Sequence, residues 1–309
     1  MEGHLDRASE LAEKAAERVG IHGWPVVGAH CWKVRAEIAM RRGQLDDARN
    51  LLEEAINRFE PTSVAHLQTR LSRIYLQLGR LDNAWDAAEA AVQSAVRPAD
   101  RYDGHGELAY IAKSQGRLAE AEDHLAKCLP DGEVDRYRRA HVYNLQGELL
   151  REKGDLDGAE TAYRRSLAIW EAIGVLNRGL YSTINLGIVL IMRQDHPGAV
   201  AIFDEVRTQA EALVLPNVVA IADIALLGPT AAMGRWDDFD SHLEAWNTSI
   251  CRDSLYDTDL ALMLGVAGDF ASRAQKMIRA RAVYAQAAAQ WQQLGIADKA
   301  KEYSKLASA

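Results

Sequence analysis

The sequence predicts an all-α protein built as a solenoid of stacked helix pairs, and three observations predict it. The pattern Gly-x-Leu-x-x-Ala begins at Gly43, Gly79, Gly116 and Gly154, at steps of 36, 37 and 38 residues. A fixed period in this range is typical of repeat architectures. Apolar residues at helical spacing flank these glycines. Small residues recur at fixed distances from them, as closely packed helices require.

Each repeat is predicted to contain two helices joined by a tight turn. Before Gly43, the apolar residues of segment 31–39 recur at helical spacing, and Pro25 suits the first turn of that helix. After Gly43, the apolar residues of segment 45–56 form a second stripe at helical spacing. One repeat is therefore a helix, a glycine turn and a second helix.

The same register extends along the chain. Small or apolar residues lie seven positions before each turn: Ala36, Ser72, Ala109, Gly147, Gly187, Leu227 and Gly268. Five positions after each turn come Ala48, Ala84, Ala121, Ala159, Ala199, Phe239 and Ala280. Nine positions after each turn come Leu52, Ala88, Leu125, Tyr163, Phe203, Leu243 and Tyr284. Gln194 and Gln275 replace glycine at the fifth and seventh turns, which the surrounding pattern keeps in register.

These offsets resemble the tetratricopeptide repeat. The resemblance implies a right-handed α-solenoid superhelix of about seven and a half helix-turn-helix repeats, forming a single domain over residues 1–309. The longer repeats resemble those of MalT-like regulators and of bacterial regions that follow kinase or ATPase modules. The expected segments are a half repeat at 1–20, repeats at 21–60, 61–97, 98–130, 131–174, 175–214, 215–252 and 253–295, and a capping helix at 296–309.

The two ends are expected to differ. Residues 1–20 match only a second helix, and Leu5, Ala8 and Leu11 form an apolar stripe without an obvious cover. An end repeat needs a polar cap. We therefore expect the rest of a longer chain or another subunit to cover the N-terminal end. The charged segment 299–305 is expected to solvate the C-terminal end.

Composition excludes several classes of function. The net charge of −8 argues against non-specific binding to nucleic acids. Cys31, Cys128 and Cys251 have no metal or redox spacing and are expected to be buried thiols in a reducing compartment. The N-terminus lacks an apolar targeting segment. Pro, Asn and Asp residues interrupt the apolar stretch 213–234, so no membrane span is expected. The chain is predicted to be cytoplasmic and bacterial.

No catalytic signature is present in the sequence. It contains no phosphate-binding Gly-x4-Gly-Lys loop, no His-Glu-x-x-His, no Gly-x-Ser-x-Gly and no Cys-x-x-Cys. The segment 104–109 matches a dinucleotide fingerprint formally, but it lies in a predicted helix and lacks the preceding strand. We expect a protein that is not an enzyme and uses no cofactor.

By resemblance, the first helix of each repeat lines a concave groove. The residues expected to bind a partner there are His30, Lys33, Arg41, His66, Thr69, Arg70, Arg73, Tyr110, His141, Asn144, Arg151, Ile184 and Ile188. The histidines could be metal ligands, ligand contacts or solvated residues, and convergence of three metal ligands is disfavoured by the spacing of repeats. The isoleucines could instead belong to the core. Arg70 and Arg73 are candidates for binding an acidic segment or a phosphate.

Two features qualify this groove. Family members that bind a C-terminal carboxylate use a Lys and an Asn one helical turn apart, whereas here Glu37 follows Lys33 and Glu148 follows Asn144. In the sixth repeat, Pro229 falls inside the first helix, where it should cause a kink. We expect a local change of superhelix pitch, or a hinge, at that repeat.

The leading functional hypothesis is a non-enzymatic scaffold that binds a protein or peptide segment in the groove. It would serve as the sensor or docking arm of a larger bacterial signalling or regulatory protein. The main alternative is a small-molecule effector-sensing domain of a MalT-like transcriptional regulator. A weaker alternative is a non-catalytic subunit of an enzyme complex.

Overall fold

The protein is all-helical, as the sequence predicts. The structure, a computed structural model, describes residues 2–22, 24–42, 44–60, 63–128, 135–249 and 255–309. Within these ranges the chain forms 16 α-helices and no β-strand. The helices follow one another in antiparallel-type pairs joined by short turns, which confirms the all-α repeat fold.

The helices divide into two compact units, which are described separately. The N-terminal unit, Met1–Val134, contains α1 (Glu2–His22), α2 (Pro25–Arg41), α3 (Leu45–Arg58), α4 (Ala65–Gln77), α5 (Leu81–Ser94), α6 (Pro98–Ser114) and α7 (Leu118–Ala126). The C-terminal unit, Asp135–Ala309, contains α8 (Arg136–Glu152), α9 (Leu156–Ala172), α10 (Leu176–Met192), α11 (His196–Ala212), α12 (Pro216–Ala232), α13 (Trp236–Thr248), α14 (Thr258–Arg273), α15 (Met277–Gln293) and α16 (Ala297–Ser308).

Each of the six described turns within a pair, at Gly79, Gly116, Gly154, Gln194, Gly234 and Gln275, is closed by a residue in the left-handed conformation. Gly79 has a φ of 69° and Gly154 a φ of 83°, and the glutamines at the fifth and seventh turns follow suit, with φ of 63° at Gln194 and 58° at Gln275. The same bond closes glycine and glutamine turns: the amide of the residue after the turn donates to a carbonyl five residues earlier. The predicted register of the two glutamine turns is therefore confirmed, while Gly43 lies outside the described residues.

The small residues allow the two helices of a pair to approach closely. All seven residues that lie seven positions before a turn are buried, and so are all seven that lie five positions after it. A Cβ placed on Gly147 would lie 2.5 Å from Cε1 of Tyr163, closer than real Cβ atoms come, so the Tyr163 ring occupies the space that a side chain would need. The same relation holds for Gly187 with Phe203 and for Gly268 with Tyr284.

The sixth pair departs from this arrangement. Leu227 takes the small position of α12, and Phe239 takes the alanine position of α13; both are fully buried. Pro229 lies inside α12, which continues as helix to Ala232. Elsewhere in the C-terminal unit the second helix of a pair packs on the first helix of the next, as α9 does on α10 and α11 on α12. Here α14 packs, among the helices that precede it, chiefly against α12 and not against the second helix α13, so the stacking changes at this pair.

The ends of the chain are helical. The helix α1 packs on α2 through residues such as the buried Ala12, whereas Leu11 is exposed and the side chain of Leu5 lies outside the described residues. The expected cover over this end stays a prediction. At the other end, α16 packs on α15 and has no fully buried residue, as a polar cap requires. Nothing in the described part of the chain forms a helix with the length and apolarity that crossing a membrane demands.

The glutamine turns give a first prediction. A left-handed conformation costs a residue with a Cβ about 1–2 kcal/mol, and glycine avoids most of this cost. We therefore expect Gln275→Gly to raise the free energy of unfolding by about 0.5–1 kcal/mol in urea titrations. Ala274→Gly is the matched control, because Ala274 has a φ of −82° and should lose stability. A loss of stability in both variants would contradict the conformation of this turn.

Candidate functional site

The surface formed by the first helices of the pairs carries the residues expected to bind a partner. In each unit we call this surface the first-helix face; α2, α4 and α6 form it in the N-terminal unit, and α8, α10 and α12 form it in the C-terminal unit, where α14 packs on α12. Because each helix contributes equivalent positions, side chains from successive pairs meet in a regular way. The two units are considered in turn.

In the N-terminal unit, two predicted histidines stack on one another. The ring centroids of His30 and His66 are 4.5 Å apart, and Nδ1 of His30 lies 3.0 Å from the carbonyl oxygen of Val26. Nε2 of His66 is buried and has no hydrogen-bond partner among the described residues. Burial, followed by the neighbouring His30, lowers the pKa of His66 to about 4. The ring of His66 is therefore neutral at physiological pH.

A ladder of ion pairs runs beside these histidines. Glu37 of α2 pairs with Arg70 of α4 at 3.1 Å, and Arg73 of α4 donates from Nε to the buried Glu107 of α6 at 2.5 Å. In both pairs, a residue six positions before a turn meets one that lies nine before the next turn. The two predicted arginines are thus already paired with carboxylates, and a partner would have to compete with Glu37 and Glu107 for them.

Other predicted residues of this unit have different environments. Thr69 is buried, and its hydroxyl donates to the carbonyl of Ala65 at 3.1 Å. This hydroxyl is therefore hydrogen-bonded within its own helix, α4. Tyr110 is half-buried and lies beneath Nζ of Lys113, 4.8 Å from the ring centroid. The side chain of Arg41 lies outside the described residues.

In the C-terminal unit, Asn144 is the centre of a hydrogen-bond network. Its Oδ1 accepts from Oγ of Ser182 at 3.0 Å and from Nδ2 of Asn185 at 3.1 Å. Its own Nδ2 donates to Glu148, one helical turn later, at 2.8 Å. In the N-terminal unit, Nζ of Lys33 likewise lies 3.9 Å from the carboxylate of Glu37, one helical turn later. Lys33 and Asn144, the residue types that a carboxylate clamp uses, therefore each contact the glutamate that follows them by one helical turn.

The apolar end of the predicted groove belongs to the core. Ile184 is buried, and Ile188 packs against the same apolar cluster, which takes side chains from α10 to α15. The alternative in which the isoleucines belong to the core therefore holds for both residues. His141, in contrast, is exposed and lies 5.0 Å from Trp170, measured between ring centroids.

Arg151 makes the longest-range polar contact described in the chain. Its side chain is only 5% exposed, and its Nη2 donates to Oδ1 of Asp259 at 2.6 Å, across 108 residues of sequence. Burial alone would lower the pKa of the Arg151 guanidinium, but the Asp259 carboxylate raises it above its ordinary value. Nη1 of Arg151 and the hydroxyl of the adjacent Tyr163 are buried without a hydrogen-bond partner among the described residues.

Two polar pairs were not anticipated from the sequence. His105 and His124 approach to 3.1 Å between their Nδ1 atoms, and Nδ1 of His242 lies 2.9 Å from the buried Asp223. Both pairs occupy the same repeat positions, eleven before a turn and eight after it. Aligning the repeats at these positions could have found them. Arg207 also pairs with Asp223, at 3.2 Å, so a guanidinium and an imidazole both contact this carboxylate.

The remaining features of the described residues concern metal binding, the cysteines and one surface crevice. Across the described ranges, no three His, Cys, Asp or Glu side chains are grouped to hold a metal ion. Burial raises the pKa of the Cys128 thiol to about 12, Cys31 is half-buried, and Cys251 lies outside the described residues. One open crevice of about 550 Å³ is lined by Asp82, Trp85, Asp86, Gln115 and Arg117, and Arg117 stacks over Trp85 within it.

Comparison with known proteins identifies the family. Family models described as tetratricopeptide repeat match residues 33–102, 103–172 and 138–212, together more than half of the chain. The chain therefore belongs to the tetratricopeptide repeat family. No protein with a curated description matches it.

Several solved structures share the fold of this chain. A Rap protein complexed with competence and sporulation factor is 14% identical, with a TM-score of 0.69 over 91% of this chain and 77% of that one. The quorum sensor NprR from B. thuringiensis, in its apo form, is 14% identical, with a TM-score of 0.53 over 98% of this chain and 82% of that one. A signal transduction ATPase with a tetratricopeptide repeat sensor from Pyrococcus horikoshii is 15% identical, with a TM-score of 0.56 over 96% of this chain and 52% of that one.

The buried His66 gives a prediction about pH. Its pKa is about 4 in the folded chain and 6.5 when unperturbed, so the unfolded chain binds the proton more readily. The stability it contributes is present above pH 6.5 and is lost as the pH falls from 6.5 toward 4. Allowing for solvent screening of a partly exposed ring, His66→Asn should reduce the loss of unfolding free energy between pH 7 and pH 5 by about 1 kcal/mol. Equal losses of unfolding free energy in the wild type and in His66→Asn, measured by urea unfolding, would contradict the lowered pKa of His66.

Proposed function

We propose that this chain is a non-enzymatic receptor that binds a protein or peptide segment on its first-helix face. The observation that carries the proposal is the fixed register of polar side chains from one helix pair to the next. Glu37 with Arg70 and Arg73 with Glu107 repeat one geometry, and in the other unit Asn144 also bonds to the next first helix, through Asn185. Groups held in place before binding lose little freedom on binding, which favours recognition of an extended segment.

The structural neighbours support a regulatory role. One was solved with a bound factor, one is a quorum sensor, and one carries its repeats as the sensor of a signalling ATPase. The last is about twice as long as the region that matches this chain. By analogy, we propose that the chain acts as the sensor or docking arm of a larger signalling or regulatory protein.

The chemistry of the face favours a partner with acidic groups. Arg70 and Arg73 can exchange an internal carboxylate for one that a partner supplies, at little cost in charge pairing. The overall charge of −8 opposes long-range attraction of such a partner. Recognition would therefore depend on close contacts with the arginines. The alternative, a small-molecule effector, predicts a rise in melting temperature with one compound of a metabolite panel and no peptide ligand.

A peptide selection tests the proposal. We expect 12-residue peptides selected against the full chain from a random phage-displayed library to be acidic. Replacing both Arg70 and Arg73 by glutamine should weaken the tightest peptide about tenfold, because two charge-assisted contacts are lost. The measurement is fluorescence anisotropy with synthetic labelled peptide. Neutral glutamine avoids placing new negative charges beside Glu37 and Glu107.

Arg164→Gln is the matched control. Arg164 is also ion-paired, with Glu160 at 2.7 Å, but it lies exposed on the second helix α9. This variant should bind the peptide as the wild type does. Selected peptides that bind the double variant and the wild type equally well would contradict the role of the arginines. Failure to select any peptide would count against the proposed function itself.

A further inference from the structure

The helix α14 makes contacts that a stacked repeat does not normally make. In a solenoid each repeat touches its neighbours only. The helix α14 belongs to the seventh pair, yet its Asp259 reaches Arg151 in the fourth pair and its Phe270 reaches His196 in the fifth. Between these contacts it packs along α12. It therefore packs on α12 of the first-helix face and reaches the C-terminal end of α8 through Arg151.

Both long-range contacts lie next to turns of earlier pairs. Arg151 is three residues before the turn at Gly154, and His196 is two residues after the turn at Gln194. The rings of His196 and Phe270 meet edge to face, with centroids 5.2 Å apart. The N-terminal part of α14 is thus held by an ion pair, and its C-terminal part is held by an aromatic contact. Together they place α14 on the turn side of the fourth and fifth pairs.

Among the described residues, the buried guanidinium of Arg151 does not find a hydrogen-bond acceptor for every donor. A buried guanidinium needs acceptors for its donors, and each donor left unpaired carries a desolvation cost. Only Nη2 of Arg151 has Asp259 as an acceptor, whereas Nη1 and the nearby Tyr163 hydroxyl are buried and have no hydrogen-bond partner in the part of the chain that the structure describes. A ligand carboxylate with room for two bonds could satisfy both groups. The structure therefore holds an anion site that its internal occupant fills only in part.

The sixth pair, which precedes α14, departs from the regular register. Leu227 occupies the small position of α12, and Phe239 replaces the usual alanine in α13. Bulky side chains where two helices cross favour a different packing from small ones. The irregular pair is also the one whose first helix, α12, packs against α14.

We infer that Arg151 is an anion-recognition residue masked in cis by Asp259, and that α14 is a displaceable cover of the first-helix face of residues 135–309. An acidic side chain or C-terminal carboxylate of a partner takes the place of Asp259 on Arg151, and α14 moves off the face. The exchange conserves the ion pair of Arg151, because one carboxylate replaces another, and it releases the Asp259 carboxylate from that pair. The inference rests on the proposed function, since it names the ligand chemistry and the regulation of the same face.

The cover lowers the apparent affinity for a partner. A site that is open in only a fraction of molecules binds with an affinity reduced by that fraction. Asp259→Asn removes the carboxylate that competes for Arg151. We expect it to increase the affinity for a fluorescein-labelled hexaglutamate peptide about tenfold at low salt, measured by anisotropy. Adding Arg151→Gln to this variant should abolish the gain.

Asp240→Asn is the matched control. It makes the same change of charge on the same unit, but Asp240 pairs with Arg279 on exposed second helices and should leave hexaglutamate binding unchanged. Equal gains for Asp240→Asn and Asp259→Asn would overturn the inference, because they would report net charge alone. A loss of stability without a gain in affinity for Asp259→Asn would also overturn it.

A second measurement needs no variant. Hydrogen exchange of the wild-type chain is followed with and without saturating hexaglutamate. We expect faster exchange in α14 and slower exchange around Arg151 in α8. Binding that leaves α14 unchanged, or no binding at millimolar peptide, would overturn the inference. If selected peptides depend on Arg70 and Arg73 while α14 does not respond, the proposed function stands and this inference alone fails.

Discussion

The fold depends on one steric relation, in which a large side chain of the second helix fills the space left by a missing side chain on the first. Tyr163 over Gly147 is the clearest case, and Phe203 over Gly187 repeats it. Close approach of the two helices brings many apolar atoms into contact, which is where most of the stability of a helix pair originates. The relation also fixes the phase of the first helix, and so decides which residues face the next pair and which face a partner.

The sixth pair departs from this relation, and the helix that follows it makes long-range contacts. In the sixth pair the small position is Leu227, and the following first helix, α14, packs on α12 and makes a buried ion pair with Arg151. The first-helix face of the N-terminal unit has no such internal cover described, and it carries the ladder of Glu37, Arg70, Arg73 and Glu107 instead. The regular pairs thus leave polar side chains on the first-helix face. After the irregular pair, α14 instead places Asp259 on Arg151 of the same unit.

Much of the fold could be predicted because its determinants are close in sequence. The small position and the large side chain are 16 residues apart, and the turns at Gln194 and Gln275 follow from the residues on either side. The helix phase was less certain, so Ile184 could be assigned either to the groove or to the core, and it is buried. The contact between Arg151 and Asp259 spans 108 residues and leaves no periodic signal, so no local pattern could reveal it.

The most direct test of the steric relation is the stability of Gly187→Ala. Alanine is the better helix former by about 0.5–1 kcal/mol, so local preference alone predicts a gain. We expect instead a loss of about 1–3 kcal/mol in unfolding free energy, because the new methyl group meets the Phe203 ring. Adding Phe203→Leu should recover part of the loss, since alanine and leucine occupy these positions at Ala109 and Leu125. Gly106→Ala, where the methyl group meets nothing within 4 Å, should be stabilising. A gain of stability for Gly187→Ala would contradict the account.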